Sequence, residues 1–281
     1  MAYVIENIGE TRTAIAEAKA AGKTVGLVPT MGALHEGHLS LVRASSSECD
    51  LTVVSVFVNP TQFGPGEDFE RYPRNLGKDV QSATEAGADI VFAPSPGAMY
   101  PPGYATFVEV KRLTEVLCGA VRPGHFRGVT TVVTKLFNIC KPDVAYFGQK
   151  DAQQAIVIKR MAGDLDMNVE VRVLPTIRER DGLAISSRND YLSEEERLQA
   201  TCLHRALQKA EEMYAEGVRD VNGIIAEMTT VIQAERDARI DYISIVDADE
   251  LEPLTEIESP ALVALAVFIG DTRLIDNTTL G

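Results

Sequence analysis

Two histidines stand three positions apart at the start of a helix-like segment. Residues 29–38 read Pro-Thr-Met-Gly-Ala-Leu-His-Glu-Gly-His, directly after a strand-like run. The first turn of a helix presents unpaired N–H groups and the positive end of the helix dipole, and both attract anions. His35 and His38 can project from one side of that turn, where they could donate hydrogen bonds to the leaving group of a polyphosphate. The spacing therefore favours a nucleotide-binding role.

Two other interpretations of the histidine pair stay open. One histidine could cap the helix while the other packs in the core. Alternatively, both could bind zinc, although no third ligand stands at a recognisable spacing. Gly32 and Gly37 fit the nucleotide interpretation, because a residue without a Cβ lets a ligand approach the backbone closely.

The elements that must position this pair alternate between strand-like and helix-like runs. The strand candidates are rich in Val and Ile with little polar alternation, as expected for strands covered on both faces. This alternation predicts an α/β fold, a Rossmann-like parallel sheet with helices on both faces and a ligand site beyond the carboxyl ends of the strands, near a topological switch point. The strand candidates are residues 24–28, 51–58, 89–92, 144–147 and 169–174, and the helix candidates are residues 37–49, 76–86, 129–140 and 152–162.

The character of the chain changes near Pro175. Beyond it we expect two polar helices, over residues 193–216 and 221–239, and three short strands, over residues 241–246, 262–269 and 272–275. The sequence thus predicts a Rossmann-like domain over residues 1–175 and a smaller α+β domain over residues 176–281 that acts as a lid. Loops rich in Gly and Pro, at residues 59–66, 94–104 and 122–128, are long enough to be functional.

The charge of the chain excludes some classes of partner. The 281 residues hold 27 Lys plus Arg against 41 Asp plus Glu, a net charge of −14. Residues 1–175 hold 17 basic and 19 acidic side chains, a net −2, whereas residues 176–281 hold 10 and 22, a net −12. Binding to nucleic acid or to an anionic membrane normally needs a basic surface, so neither is expected. A small anionic ligand needs only a few local donors.

Further features indicate a cytoplasmic enzyme. The longest apolar run, residues 261–269, is far shorter than the roughly 18 residues of a membrane helix, and the N-terminus lacks the pattern of a secretory signal. Cys49, Cys118, Cys140 and Cys202 are widely spaced and are expected to be free, buried thiols.

Further polar clusters follow other strand candidates. Asn59 and Gln62 stand in an Asn-Pro-Thr-Gln-Phe loop. An amide both donates and accepts hydrogen bonds, so Gln62 could bind a carboxylate and a hydroxyl together, or could simply bond its own turn. Lys150 could offset phosphate charge, while Asp151 suits ribose hydroxyls or a helix N-cap.

Two clusters concern phosphates and metal. Ser186, Ser187 and Arg188 could form a clamp for phosphates, since a guanidinium binds anions in bidentate geometry. A solvated turn is the alternative, and the preceding Asp181-Gly182 turn could be a hinge. Asp79 is a candidate for Mg²⁺, which prefers oxygen ligands, although a surface carboxylate on a helix would look the same.

Several of these blocks, in this order, resemble the HIGH-type nucleotidyltransferase superfamily and, within it, the pantothenate synthetase (pantoate–β-alanine ligase) family. The resemblance runs through the N-terminal domain and into the segment that follows it. One departure is Ala152, where that family usually has an aromatic residue. The matching blocks are residues 29–41, 56–63 (VFVNPTQF), 72–74 with Asp79, 122–128 (RPGHFRG), 147–154 (FGQKDAQQ) and 175–192 (PTIRERDGLAISSRNDYL).

The resemblance implies a reaction in which ATP and (R)-pantoate form pantoyl adenylate and pyrophosphate, and β-alanine then gives pantothenate and AMP. It implies Mg²⁺ beside ATP and a homodimer. In this family His38 would stabilise or protonate the leaving pyrophosphate with help from His35, and Gln62 would contact pantoate and then β-alanine. The resemblance also places Met31, Gly32, Gly148, Lys150, Asp151, Ile177, Ser186, Ser187 and Arg188 at ATP, with Lys150 and Arg188 catalytic, and Asn59, Gln154, Arg122 and His125 at the substrates, with a subunit contact as the alternative for Arg122 and His125.

Two competing functions differ in the fate of the nucleotide. A nucleotidyltransferase would join it to a phosphorylated acceptor and keep it in the product, whereas a regulatory module would bind it without chemistry. An aminoacyl-tRNA synthetase is disfavoured by the acidic composition and the lack of a recognisable tRNA-binding domain.

Overall fold

The computed structural model describes residues 1–281. The chain divides into two compact units. The first comprises Met1–Glu115, Gly119–Gln149 and Gln153–Pro175, and the second comprises Val116–Cys118, Lys150–Ala152 and Thr176–Gly281. Two short segments from before residue 175 therefore group with the C-terminal part of the chain, one of which contains Lys150.

The first unit contains a six-stranded sheet in the order β1-β4-β3-β2-β5-β6, and every pair in it is parallel. From β2 the chain moves outward through β3 to β4, and it then returns to add β5 and β6 on the other side of β2. The order of strands thus reverses between β2 and β5, which is where ligands bind in open α/β sheets. The prediction of a parallel α/β sheet is confirmed. The strands are β1 (Tyr3–Ile5), β2 (Val25–Thr30), β3 (Leu51–Val56), β4 (Ile90–Phe92), β5 (Val144–Gly148) and β6 (Glu170–Leu174).

Helices cover this sheet on both faces. Val28, Val54 and Val91 pack with residues of α2 and α3 in one buried cluster. Leu27 and Val53, whose side chains alternate with these along the strands, are also fully buried, so the opposite face is covered as well. The helices are α1 (Ile8–Ala20), α2 (Glu36–Glu48), α3 (Leu76–Glu85), α4 (Pro96–Met99), α5 (Cys118–Val121), α6 (His125–Cys140) and α7 (Ala152–Asp164).

The structure adds elements that the hydrophobic pattern did not predict. Strand β1 is short and mostly exposed, and α1 buries only Thr11 and Ile15, so neither has a strong apolar period. The sequence feature that could have predicted α1 is Asn7, a residue type that is common at helix N-caps. In the structure its side chain accepts hydrogen bonds from the N–H groups of residues 9 and 10. Helix α6 begins at His125, four residues before the predicted start, so the predicted 122–128 loop is partly helical.

Strand β2 also runs further than predicted. Its predicted end was residue 28, whereas the strand continues through Pro29, which cannot donate to a sheet, to Thr30. In the structure β2 pairs with β5 only at Gly26 and Leu27, so Pro29 lies beyond that ladder while its register with Ser55 of β3 continues.

The second unit contains a three-stranded antiparallel sheet in the order β7-β8-β9. Helices α9 and α10 contribute Leu203, Leu207, Ile224 and Met228 to its buried core. The predicted helix over residues 193–216 is interrupted near Thr201, because the backbone hydrogen bonds there tighten to Thr201 N–Leu198 O and Leu203 N–Ala200 O. The elements are α8 (Glu194–Gln199), α9 (Cys202–Ala215), α10 (Val221–Gln233), β7 (Ala238–Asp247), β8 (Ala261–Ile269) and β9 (Thr272–Leu280).

The cysteines agree with the expectation of free thiols. All four cysteines are free thiols, three of them buried and Cys49 half-buried. Burial raises the pKa of the Cys140 thiol to about 12. None of the helices has the length and apolar character that crossing a membrane would require.

Helix α6 approaches the loop after β3 at a glycine. A Cβ on Gly128 would lie 2.3 Å from the Thr61 carbonyl oxygen and 2.6 Å from the Gln62 nitrogen. Both atoms belong to the backbone, so no side chain can rotate away. Only glycine allows this separation between α6 and the loop that carries Asn59 and Gln62.

We therefore expect Gly128→Ala to lower the free energy of unfolding by about 1–3 kcal/mol, the usual cost of overpacking. Gly163→Ala is the matched control, since a Cβ at this glycine of α7 meets nothing within 4 Å. It should be neutral or stabilising by up to about 1 kcal/mol. Thermal and urea unfolding measure both, and equal stability of the two variants would contradict the close packing of α6.

Candidate active site

Helix α2 begins at Glu36, with His35 at the N-cap and His38 in the first turn. The two imidazole rings stack with their centroids 4.0 Å apart. A Cβ on Gly37 would lie 3.1 Å from the His35 ring, so the small residue between the histidines gives that ring room. Both side chains are half-buried and neither lies in the core, which removes the interpretation of one of them as a core histidine.

The backbone orients the His38 ring. The His35 N–H donates to His38 Nδ1 over 3.4 Å. Because Nδ1 accepts, the neutral ring carries its proton on Nε2. His38 therefore presents an N–H donor on the side of the ring away from the helix backbone.

Asp79 fixes the turn that leads into α2. Its side chain is buried in the first turn of α3, and the N–H groups of Ala33 and Leu34 donate to Oδ2 and Oδ1 over 3.1 and 2.8 Å. Ala33 has a positive φ of 51°, a strained conformation that these two hydrogen bonds stabilise. The sequence left open a surface carboxylate at this position, and that interpretation is wrong, because Asp79 is only 3% exposed.

Asn59 is the centre of the loop after β3. It is 1% exposed, and its Nδ2 donates to Gln62 Oε1 and to the Gly128 carbonyl, both over 3.1 Å. Its Oδ1 accepts from the Tyr100 hydroxyl over 2.8 Å and from Thr61. With these partners Asn59 orients the loop, and the direct substrate contact that the resemblance implies stays a prediction.

The Gln62 amide has a defined orientation as a result. Because Oε1 accepts from Asn59, Nε2 points the other way and donates to the Met31 sulfur over 3.0 Å. An NH₂ group has two hydrogens, so a second donor is present at the same nitrogen. Gln62 is 9% exposed, which leaves a small accessible surface. Contact with Met31 brings the loop after β3 to the segment after β2.

Arg122 and His125 contact the backbone of Gln62. His125 Nδ1 lies 2.8 Å from the Gln62 carbonyl, and Arg122 Nη1 lies 3.1 Å from His125 Nε2. Since the guanidinium can only donate, His125 Nε2 accepts and Nδ1–H donates to the carbonyl. Arg122 also pairs with Glu67 through two hydrogen bonds of 2.8 and 2.5 Å. Both residues thus fix the Gln62 loop.

The Glu67 carboxyl responds to this pairing. Burial would raise its pKa, but the hydrogen bonds and charge of Arg122 outweigh burial, so the pKa lies below its usual value. Sequence reasoning missed Glu67 and Tyr100. Both stand within or at the end of the Gly- and Pro-rich loops, so loop length was the available signal.

The segment after β5 spans the two units. Gly148 ends β5 in the first unit, and Gln154 is half-buried in the first turn of α7. Lys150 belongs to the second unit, where its Nζ lies 4.0 Å from Asp151 Oδ1. Asp151 is exposed in a 3₁₀ turn that runs directly into α7, which begins at the next residue.

In the second unit a short hairpin precedes Ser186. Its arms are joined by hydrogen bonds between residues 177 and 185 and between 179 and 183, with a bridge from Arg178 to Ala184. Ile177 therefore lies opposite Ile185, one residue before Ser186. The hairpin thus brings together two of the regions that the resemblance places at ATP.

The tip of this hairpin is tied to the rest of the second unit. Arg197 pairs with Glu179 and Asp181, and its hydrogen bonds keep the pKa of Asp181 below the usual value. Arg178 donates to the carbonyl of Gly182 over 3.1 Å. These contacts tie the tip of the hairpin to the second unit, and a hinge at Asp181-Gly182 stays a prediction.

Beyond the hairpin, Ser186 caps a 3₁₀ turn over Ser187–Tyr191, its hydroxyl accepting from the Arg188 N–H over 3.3 Å. Ser186, Ser187 and Arg188 are half-buried. A fully solvated turn, the alternative from the sequence, does not describe them.

Known proteins resemble this chain over its whole length. The family model described as pantoate-beta-alanine ligase matches residues 3–279. A pantothenate synthetase of Pelotomaculum thermopropionicum is 58% identical over 278 residues, which is 99% of each chain. The crystal structure of pantothenate synthetase from Thermus thermophilus superposes with a TM-score of 0.94 at 46% identity, covering 98% of each chain.

A further solved structure is the pantoate-beta-alanine ligase of Francisella tularensis, complexed with beta-gamma ATP and beta-alanine. It is 34% identical, with a TM-score of 0.81, and covers 99% of this chain and 97% of its own. A family model that matches nearly every residue, close relatives of equal length and the same fold lead to one conclusion. The chain belongs to the pantoate–β-alanine ligase family.

Proposed function

We propose that this protein condenses (R)-pantoate with β-alanine at the expense of ATP, giving pantothenate, AMP and pyrophosphate. The pantoate carboxylate attacks the α-phosphorus of ATP and pyrophosphate leaves. The β-alanine amine then attacks the acyl carbon of pantoyl adenylate and AMP leaves. The adenylate is needed because a free carboxylate has no good leaving group. The observation that carries the proposal is the Met31–Gln62 contact, which joins the segment leading to His35 and His38 to an oriented amide.

Within the first step, we assign His38 to the leaving pyrophosphate. Its Nε2–H can donate to the phosphate oxygen on which negative charge develops, and the helix dipole of α2 favours the same charge. His35 stacks on His38 and supports its orientation. Met31, Gly32 and Gly148 lie at the ends of β2 and β5, beside the switch point, where ATP is proposed to bind.

Gln62 is assigned to pantoate and then to β-alanine. Asn59 fixes the direction of the amide, so the second N–H on Nε2 is the group offered to a substrate oxygen. Arg122 and His125 act on its backbone carbonyl, and their part in substrate binding is indirect. Gln154 is proposed to contact pantoate.

In the second unit, Lys150 and Arg188 are proposed to offset phosphate charge, with Ser186 and Ser187 as further donors. Asp151 is exposed and is proposed to bind ribose hydroxyls, and Ile177 is proposed to contact adenine. The lid role of residues 176–281, the homodimer and a cytoplasmic location stay predictions.

Magnesium usually binds one or two carboxylates together with the phosphates of its substrate, and Asp79 is the carboxylate that the sequence singled out for it. No group of three or more His, Cys, Asp or Glu side chains has the arrangement of a metal site. Asp79 directs both of its oxygens at backbone N–H groups. We therefore assign Asp79 a structural role, and no step of the reaction is derived through the ion.

The test of the reaction is a product analysis. Incubation with ATP, pantoate and β-alanine should yield AMP, pyrophosphate and pantothenate in equal amounts, and labelled pyrophosphate should exchange into ATP only when pantoate is present. A product that retains the nucleotide would identify a nucleotidyltransferase instead. ATP binding without any exchange would identify a regulatory module.

For His38, we expect His38→Ala to lower kcat by roughly 10²–10³, the usual effect of removing one transition-state donor. Binding of preformed pantoyl adenylate, measured by calorimetry, should change far less because its pyrophosphate has already left. Ser47→Ala on the same helix, whose hydroxyl bonds only the Ala44 carbonyl, is the control. Turnover close to that of the unsubstituted protein in His38→Ala would refute the role.

For Gln62, we expect Gln62→Ala to raise the KM of both pantoate and β-alanine, by about tenfold each if one hydrogen bond of roughly 1.4 kcal/mol is lost. The KM of ATP should change little. Gln81→Ala, an exposed glutamine on α3, is the matched control. Unchanged saturation curves for both substrates would remove Gln62 from the site.

For Asp79, we expect Asp79→Asn to lower the free energy of unfolding by about 1–3 kcal/mol, because one backbone N–H loses its acceptor. The magnesium concentration that gives half-maximal activity should stay the same. Glu85→Gln, at the other end of α3, controls for loss of a carboxylate. A large rise in the magnesium requirement at unchanged stability would restore the metal role.

A further inference from the structure

Two consecutive residues of β9, Asp276 and Asn277, are polar and buried. Asp276 is 2% exposed and Asn277 is 5% exposed. Successive side chains of a strand point to opposite faces, so the two residues reach in different directions from one peptide unit. Each makes contacts with a segment that the proposed function places at the ATP phosphates.

Asp276 contacts the hairpin. Its Oδ2 and Oδ1 accept from Arg178 Nη1 and Nη2 over 2.6 and 3.0 Å, a bidentate pair. Arg178 Nη1 also donates to the Gly182 carbonyl, so the guanidinium ties β9 to the first arm and to the tip of the hairpin. A buried carboxylate needs such a partner, and paired arginine has a fixed geometry. The hairpin leads directly to Ser186.

Asn277 contacts the segment after β5. Its Nδ2 donates to the Lys150 carbonyl over 2.9 Å. This hydrogen bond holds the backbone from which the Lys150 side chain extends. Lys150–Ala152 belongs to the second unit, as does Asn277. The Asn277 N–H donates to Asp276 Oδ1 over 2.8 Å, which links the two side-chain contacts to each other.

The spacing of these two anchors is set by the strand. Asp276 and Asn277 are in register with Leu265 and Ala264 of β8, a buried central strand. Consecutive Cα atoms are about 3.8 Å apart, so the point that holds Lys150 and the point that holds the hairpin cannot move independently. Nothing in the chemistry assigned to the phosphates uses either residue directly.

We propose that Asp276 and Asn277 are positioning residues that hold Lys150 and the Ser186–Arg188 segment in a fixed relation, so that both act on the phosphates of one ATP molecule. The inference rests on the proposed function. In this arrangement Asn277 acts through Lys150, and Asp276 acts through Arg178 on Arg188. A purely structural role would instead make the residues contribute to stability alone.

The experiment is a pair of double-mutant cycles. Asn277→Ala should weaken ATP binding, measured by calorimetry, and lower kcat by about 10- to 100-fold, as expected for a small displacement of a group that acts on the substrate. The KM of β-alanine should stay within about twofold. In a Lys150→Ala background, the addition of Asn277→Ala should have no further effect on either quantity.

The second cycle combines Asp276→Asn with Arg188→Ala and has the same form. The amide keeps one acceptor oxygen but removes the charge that pairs with Arg178. Asp276→Asn should weaken ATP binding in the unsubstituted protein, but it should have no further effect on ATP binding in the Arg188→Ala background. Thr278→Ala is the control on the same strand, because its hydroxyl bonds exposed Glu211; kcat should be unchanged.

Stability is measured in parallel by thermal unfolding. If Asn277→Ala is not folded, Asn277→Ser, which keeps a small donor, replaces it in the cycle. The proposal is overturned if the fold-changes in ATP affinity of the two single substitutions multiply in a double variant. It is also overturned if the Asn277 variants bind ATP with unchanged affinity. If the unsubstituted protein binds ATP but forms no AMP, the proposed function is wrong. The positioning role of Asp276 and Asn277 is still tested in that case, because both mutant cycles can be measured by ATP affinity.

Discussion

The hydrogen bonds from the Ala33 and Leu34 N–H groups to the Asp79 carboxylate are the interaction on which the first unit depends. They join the end of β2 to the first turn of α3 and hold Ala33 in a conformation with positive φ. The direction of α2, and with it the position of His35 and His38, follows from this turn. A buried carboxylate between two donors is stable here because both of its oxygens are satisfied.

The same principle of one polar group orienting another recurs around Gln62. Tyr100 and Thr61 satisfy Asn59, Asn59 orients the Gln62 amide, and Arg122 with His125 holds its carbonyl. Each hydrogen bond removes a rotational freedom before any substrate binds. An amide held in this way costs little conformational entropy when it donates to a ligand, which is the physical meaning of preorganisation.

The sequence predicted the sheet well because the buried strands are short runs rich in Val, Leu and Ile that alternate with helix-like segments, a pattern typical of a parallel sheet covered on both faces. It failed at β1 and α1, where few apolar residues are buried, and it ended β2 at residue 28, whereas the pairing of β2 with β3 continues to Thr30. The types of the site residues were readable, because a histidine pair or an amide after a strand indicates chemistry.

The partners of those residues were not readable from the chain. Asp79 looked like a surface carboxylate or a metal ligand, and Asn59 looked like a substrate contact. In the structure each of them hydrogen-bonds a neighbouring segment, and the substrate contact of Asn59 stays a prediction. Asp276 and Asn277 stand in a strand with no motif around them, about a hundred residues or more from the segments they contact. Contacts at such separation depend on the folded topology and leave no local pattern.

The acidic composition of the C-terminal region is compatible with a role in binding anions, because charge acts locally. Residues 176–281 carry a net −12, yet several carboxylates there are paired with arginines, among them Asp276 with Arg178 and Asp241 with Arg273. The fields of the two opposite charges in a pair largely cancel for any group that lies more than a Debye length away, about 8–10 Å in physiological salt. An arginine committed to a buried carboxylate positions the backbone, whereas the proposed contacts with phosphate are those of Lys150 and Arg188. The net negative charge of this region therefore does not exclude a triphosphate as a ligand.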